Sequence, residues 1–328
     1  DDALAVLADA RRWQQEFDAP AGERATTLNI IASIYNDQSR FLDAEPLLRE
    51  ALALRRGDAD ARELSTSLNN LGYTLLQTGR VVEARALFAE ALPLRRQAFP
   101  GRHTETAITE MNLGVAERDA GEFAAADAHF DGAERDLVAL LASERDGLDG
   151  PRHPILAGLA LHRGIAAALA DDLPAARAAF DRAIEQYEAL FGPDAPVLAT
   201  ALRERGSASL ATGDRAAARR DIERACAISQ RVRGDDAPVL AICRVRLARV
   251  LVADGDADAA RGLLEQARDV LARAPADDRR MATEHAAALL ALAALDDDDA
   301  LRVAARALLE PAQELVRARR LAEELGTP

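Results

Sequence analysis

The side chains able to do acid–base, nucleophilic or metal chemistry are few in this chain of 328 residues, and they do not converge. The five histidines, His103, His129, His153, His162 and His285, show no HxxxH or HExxH spacing, so no helix face offers two imidazoles to one zinc ion. Cys226 and Cys243 form no CxxC pair and read as buried, reduced thiols on helix faces. No lysine occurs, so all 41 basic residues are arginine and Schiff-base chemistry is excluded. Neither GxGxxG, a Walker loop nor GxSxG is present. The run Asp296–Asp299 lacks the alternating ligands and central glycine of an EF-hand loop, and four acids opening a helix complement its dipole. The chain is therefore expected to be no enzyme, with no catalytic residues, no metal and no cofactor.

What the sequence does carry is a period. An alanine, a large apolar residue four positions on and a second alanine three further recur at Ala3/Leu7/Ala10, Ala44/Leu48/Ala51, Ala84/Phe88/Ala91, Ala126/Phe130/Ala133, Ala176/Phe180/Ala183, Ala218/Ile222/Ala225 and Ala260/Leu264/Ala267. Successive copies lie 41, 40, 42, 50, 42 and 42 residues apart, which means one supersecondary unit repeated in tandem. Before each full triplet runs an amphipathic stretch such as Leu68, Leu71, Gly72 and Leu75, with the i, i+3, i+4, i+7 spacing of a helix with one buried face. Gly79, Gly121, Asp171, Gly213, Gly255 and Ser39-Arg40 then stop that helix. Pro154, Pro196 and Pro238 suit the first turn of the following unit, with Asp194 and Asp236 as candidate N-caps. Alanine-rich composition with only 4% aromatic residues favours closely packed helices.

The small–x3–aromatic–x2–Ala pattern, preceded by Leu-Gly and a turn glycine, resembles the tetratricopeptide repeat. The longer period, the Gly-Pro-x-x-Pro links and the run Leu68-Asn69-Asn70-Leu71-Gly72 resemble the kinesin light chain type of that repeat. The resemblance covers roughly residues 1–270. It implies an all-α, right-handed superhelical solenoid of about seven antiparallel helix pairs. Residues 1–19 would be the second helix of a truncated repeat, 20–275 the solenoid, and 276–328 a degenerate last repeat with a capping helix. The spacing of 50 marks an insertion near 141–151, read as an extended second helix followed by a solvated loop.

In this family the first helix of each pair lines the concave surface. The resemblance therefore implies a peptide-binding groove lined by Thr26, Asn29, Ser33, Asn36, Thr66, Asn69, Tyr73, Gln77, Asn112, Arg118, Arg203 and Arg249. An asparagine has two donors and an acceptor, so a row of them can pair both polar groups of an extended backbone. Asn29 and Asn69 could equally bridge neighbouring helices.

A net charge of -14 argues against a nucleic-acid surface, which needs clustered positive charge. No stretch is long and apolar enough to span a bilayer; Ala286–Leu295 falls well short of the roughly 18 residues required. The expected partner is a protein or peptide, with a homodimer as the competing use of these surfaces. The expected role is a non-catalytic scaffold, the sensor or recruitment region of a larger bacterial signalling protein such as a serine/threonine kinase. A regulatory region of a transcriptional regulator and a self-assembly module are the alternatives. Compartment stays open: cytoplasmic, or periplasmic where such an array follows a membrane span.

Overall fold

Helix endings set the architecture. Gly79, Gly121, Gly213 and Gly255 all adopt positive φ between 82° and 89°, and Ser39, Asp171 and Asp297 take the same left-handed turn at 61°, 64° and 51°. Each stops one helix and reverses the chain into the next, as the sequence signals required. The computed structural model describes residues 2–57, 60–143 and 153–325. Among these residues sixteen α-helices and no strand occur.

A lone helix, α1 (Asp2–Glu16), precedes seven pairs. They are α2 (Ala21–Asp37) with α3 (Phe41–Arg55), α4 (Ala61–Gln77) with α5 (Val81–Ala98), α6 (Thr104–Ala120) with α7 (Phe123–Ser143), α8 (Pro154–Leu169) with α9 (Leu173–Phe191), α10 (Leu198–Ala211) with α11 (Arg215–Arg233), α12 (Pro238–Ala253) with α13 (Ala257–Leu271), and α14 (Arg279–Asp296) with α15 (Asp299–Leu309). A 3-10 turn, Glu310–Ala312, leads into α16 (Val316–Glu324). The fold is thus all-α, a repeat solenoid. Its helices divide into two compact units: an N-terminal unit of 1–120 with 128–144, and a C-terminal unit of 121–127 with 145–328.

The triplets form the core of both units. Ala84, Phe88 and Ala91, and likewise Ala176, Phe180 and Ala183, are fully buried. The first helix must come close enough to cover the ring. A Cβ on Gly72 would lie 2.7 Å from the Phe88 ring, and one on Gly164 would lie 2.5 Å from the Phe180 ring. Only glycine permits that approach.

Aspartate and histidine cap several of the helices of the C-terminal unit. Asp172, Asp214, Asp256 and Asp278 each accept a backbone N–H three residues on, and His153 accepts through Nδ1 from Ile155 N–H. Asp194 and Asp236 do not cap. α10 starts at Leu198 behind Val197, and α12 starts at Pro238 behind Ala237, without side-chain caps. The two aspartates instead face Arg231 and Arg273 at 3.6 and 3.3 Å. Pro154 and Pro238 open their helices as expected, whereas Pro196 lies two residues ahead of α10.

At 21 residues α7 is the longest helix, matching the expected extension; the loop of the 141–151 insertion lies outside the described residues. The acidic run is structural. Asp298 caps α15, Asp296 pairs with Arg261, and Asp297 and Asp299 pair with Arg302. Among the described residues no cluster of three metal-ligating side chains occurs, and no helix is long and apolar enough to cross a membrane.

Candidate interaction surface

In the N-terminal unit the amides of consecutive first helices are joined to each other. Asn29 Nδ2 donates to Ser67 Oγ at 2.9 Å and to the Ala25 carbonyl at 3.0 Å, while its Oδ1 accepts from Asn70 Nδ2 at 3.2 Å. Asn36 and Thr74 pair at 3.0 Å. One repeat on, Asn69 Oδ1 accepts from Asn112 Nδ2 at 3.2 Å and from Thr109 Oγ1 at 3.4 Å. A polar ladder therefore runs from α2 through α4 to α6. It uses both donors of Asn29 and one lone pair of its Oδ1. Asn69 is nearly buried, and its amide nitrogen donates to no protein group among the described residues.

Beside the ladder runs an open stripe. Thr26, Ile30 and Ser33 are exposed on α2 at i, i+4, i+7, and Tyr73 is exposed on α4 between half-buried Thr66 and Gln77. Tyr73 stands edge-on to Phe41 with ring centres 6.4 Å apart. Thr66 donates to the Arg62 carbonyl. Thr26 donates to the Gly22 carbonyl and accepts from Arg55, so its hydroxyl belongs to the scaffold. Ile30, 46% exposed, was missed by reading for polar residues alone, although its spacing from Thr26 and Ser33 carries the signal.

The stripe does not extend to α6 as anticipated. Asn112 is buried in the ladder, and Arg118 is buried with its guanidinium on Asp119 at 2.6 Å. Neither lines an open surface. Below the ladder, buried arginines tie each second helix to the next first helix: Arg55 to Glu63 at 2.9 Å and Arg95 to Glu105 at 2.7 Å. Burial lowers the Arg95 pKa, against the pull of Glu105.

The first helices of the C-terminal unit carry ions instead. Arg203 holds Glu204 at 3.0 Å, and Arg246 holds Glu284 of α14 at 2.8 Å, both members of the second pair being buried. Burial pulls the Arg203 pKa down, and Glu204, Cys243 and Glu284 outweigh it, so the net shift is upward. Cys243 is buried 3.7 Å from Ser229 Oγ. Its pKa is lowered to about 6 by the neighbouring Cys226 thiol, against burial and with help from Arg203. Arg249 keeps an exposed edge, yet the protein around its stem removes enough water to lower its pKa; Arg246 adds to that, and Glu324 and Glu284 oppose it.

α16 is packed against α14 and the end of α8. Arg317 reaches Glu284 at 3.0 Å; Arg320 reaches Asp171 at 3.1 Å and the Leu169 carbonyl at the end of α8. Arg249 therefore belongs to a face with its own resident segment, unlike the open stripe around Tyr73, while Arg203 is held by Glu204 on its own helix.

Paired helices at constant interval, with small residues on the first and a buried large residue on the second, define a helical repeat protein. A family model described as "Tetratricopeptide repeat" matches residues 63–134, 156–231 and 199–273, and a second of the same description matches 24–56. The chain belongs to the tetratricopeptide repeat family. Among solved structures it is similar to NprR in complex with its cognate peptide NprX, at 12% identity and TM-score 0.69, covering 99% of this chain and 91% of that one. It is also similar to Rap protein complexed with Competence and Sporulation Factor, at 15% identity and TM-score 0.64, covering 92% and 76%. BtubC (BKLC) from P. vanneervenii, at 18% identity with coverage of 83% and 89%, superposes with a TM-score of only 0.37. No curated protein sequence matches the chain.

Proposed function

We propose that this chain is a non-catalytic interaction scaffold that holds a partner's peptide segment along the first helices of its N-terminal unit. The observation that carries this reading is the stripe of Thr26, Ile30, Ser33, Thr66, Tyr73 and Gln77, left open beside a hydrogen-bonded ladder that fixes its spacing. Ile30 and Tyr73 supply apolar contact, and Ser33, Gln77 and the Asn69 amide supply donors and acceptors. The family and the NprR and Rap complexes, each solved with a bound peptide or factor, support the same reading. Selection of a displayed random-peptide library on the purified chain should enrich a consistent motif, and Ile30→Glu with Tyr73→Arg should weaken its binding more than tenfold. Unchanged binding in that double variant would move the site elsewhere.

On this reading the chain is the sensor or recruitment region of a larger bacterial signalling protein, such as a serine/threonine kinase or a transcriptional regulator. Sequencing the flanking gene decides it: an adjoining effector domain supports that role, and its absence ends it. One observation favours self-assembly as a second reading. Val6 and Trp13 of α1 and Phe17 just after it are 67%, 58% and 61% exposed, at helical i, i+7, i+11 spacing. Sedimentation at rising concentration should then reveal a dimer that Trp13→Glu abolishes.

A further inference from the structure

α16 breaks with the repeat that precedes it. α15 has only 11 residues, and the turn Glu310–Ala312, with Pro311 in it, redirects the chain instead of starting another pair. The chain then returns to helices far behind it in sequence. Arg320 binds Asp171 and the Leu169 carbonyl, 149 and 151 residues away, and Val316 and Arg319 lie against Gly121. The charged part of the contact is made by one face. Arg317, Arg320 and Glu324 stand at i, i+3, i+7; Arg317 pairs with Glu284, Arg320 pairs with Asp171, and the Glu324 charge acts on Arg249. Ala318, next to Arg317 and so turned to another side of the helix, is fully buried.

That face is matched in charge and thinly held. Of the nine residues in α16 only Ala318 is buried, and Arg317, Arg320 and Asp171 remain 37%, 39% and 78% exposed in their pairs. Exposed pairs of this kind add little stability, and a helix of nine residues does not persist alone in water. Detachment also leaves no orphaned charge. Glu284 keeps Arg246 at 2.8 Å, Arg203 keeps Glu204, and Asp171 sits on an exposed turn. The helices beneath thus present ions that water can take over, rather than an apolar core that must stay covered.

We propose that the first-helix face of the C-terminal unit is a docking surface for a short basic helix of a partner protein, and that α16 is its resident occupant, displaced when that helix binds. The guest carries two arginines three residues apart and an acid four residues beyond. The proposal deepens the scaffold reading by adding a second, gated surface, and it rests on that reading only for the claim that partners are proteins.

The probe is a fluorescent synthetic peptide of residues 313–325, titrated by anisotropy onto the intact chain and onto the chain carrying Arg317→Glu and Arg320→Glu. The released chain should bind the peptide at least tenfold more tightly than the intact one. A peptide bearing the same two substitutions should not bind, and Asp171→Asn in the released chain should weaken the wild-type peptide severalfold. Equal binding to both chains, or binding to neither, overturns the proposal. Hydrogen exchange on the unmodified chain gives an independent reading should the double variant not fold. Amides of α16 should exchange at least tenfold faster than those of α8, α12 and α14, and equal protection overturns the proposal. Ile30→Glu with Tyr73→Arg should leave the peptide titration unchanged, so the N-terminal surface can fail without this one failing.

Discussion

Two and three residues before the small residue of a first helix, the N-terminal unit places Asn70 and Asn69 ahead of Gly72, and the C-terminal unit places Glu204 and Arg203 ahead of Gly206. Four residues after the closing alanine of a second helix, the first has Arg55 and Arg95, and the second has Tyr187 and Leu271. One backbone plan thus accepts two ways of joining neighbours. Neutral amides satisfy each other across α2, α4 and α6 at modest gain and need no cover, so a side-chain stripe can remain open beside them. Ion pairs join α12 to α14, and there the chain lays its own α16 on the face, with Arg317 sharing Glu284. What the repeat fixes is spacing; what fills the spacing decides whether a surface is open or occupied.

The common core is where the two units should behave alike. Phe88→Ala and Phe180→Ala each remove a fully buried ring from an alanine-flanked site, and each should cost about 3–5 kcal/mol. Because repeat arrays couple mainly through nearest neighbours, hydrogen exchange should rise in the mutated unit first. A uniform rise along the chain would mean that the two units melt as one.

The joints are where the units should part. Glu284→Gln leaves Arg246, only 3% exposed, without its counter-charge, and should cost about 3 kcal/mol by thermal or denaturant melts. Asn29→Ala strands Ser67 and Asn70 on neutral partners and should cost about 1–2 kcal/mol. Equal losses would show that the ionic joint is no more demanding than the amide one. If Asn29→Ala instead leaves stability untouched and weakens a selected peptide, the amide serves the guest and not the ladder.

Much of this was legible in the residues, for a physical reason. Triplets, glycine approach and left-handed stops are local, so Ala84/Phe88/Ala91, Gly72 and Gly79 each announce their role within one repeat. The ladder was half legible. Asn29 meets Ser67 and Asn70 at 38 and 41 residues, close to the repeat interval, yet helical spacing alone cannot tell whether an amide turns to its neighbour or to a guest. Nothing local foretold where α16 docks. Its residues read as an amphipathic cap, and their partner Asp171 lies 149 positions away, a distance the period does not encode. The caps expected at Asp194 and Asp236 failed more simply, because each aspartate lies too far ahead of the true helix start.

The smallest expected effect separates the units by pH. His285, half-buried on α14, has its pKa lowered by burial and by Arg268, so the folded state favours the neutral ring. The unfolded chain binds its proton near the usual value of 6.5, where the folded one does not, so stability in the C-terminal unit should fall as pH drops below about 6.5. The N-terminal unit answers later. Burial works to raise the Glu83 pKa, but hydrogen bonds from Arg49 and Arg80 outweigh it and lower it below 4.5. Its contribution therefore holds above that value and is lost only as pH falls further, and solvent screening at 40% exposure keeps it small. Between pH 6.5 and 5, exchange should accelerate in α14 while α3 and α5 stay protected, and His285→Gln should remove the difference. Acceleration that persists in that variant would assign the acid response to another group.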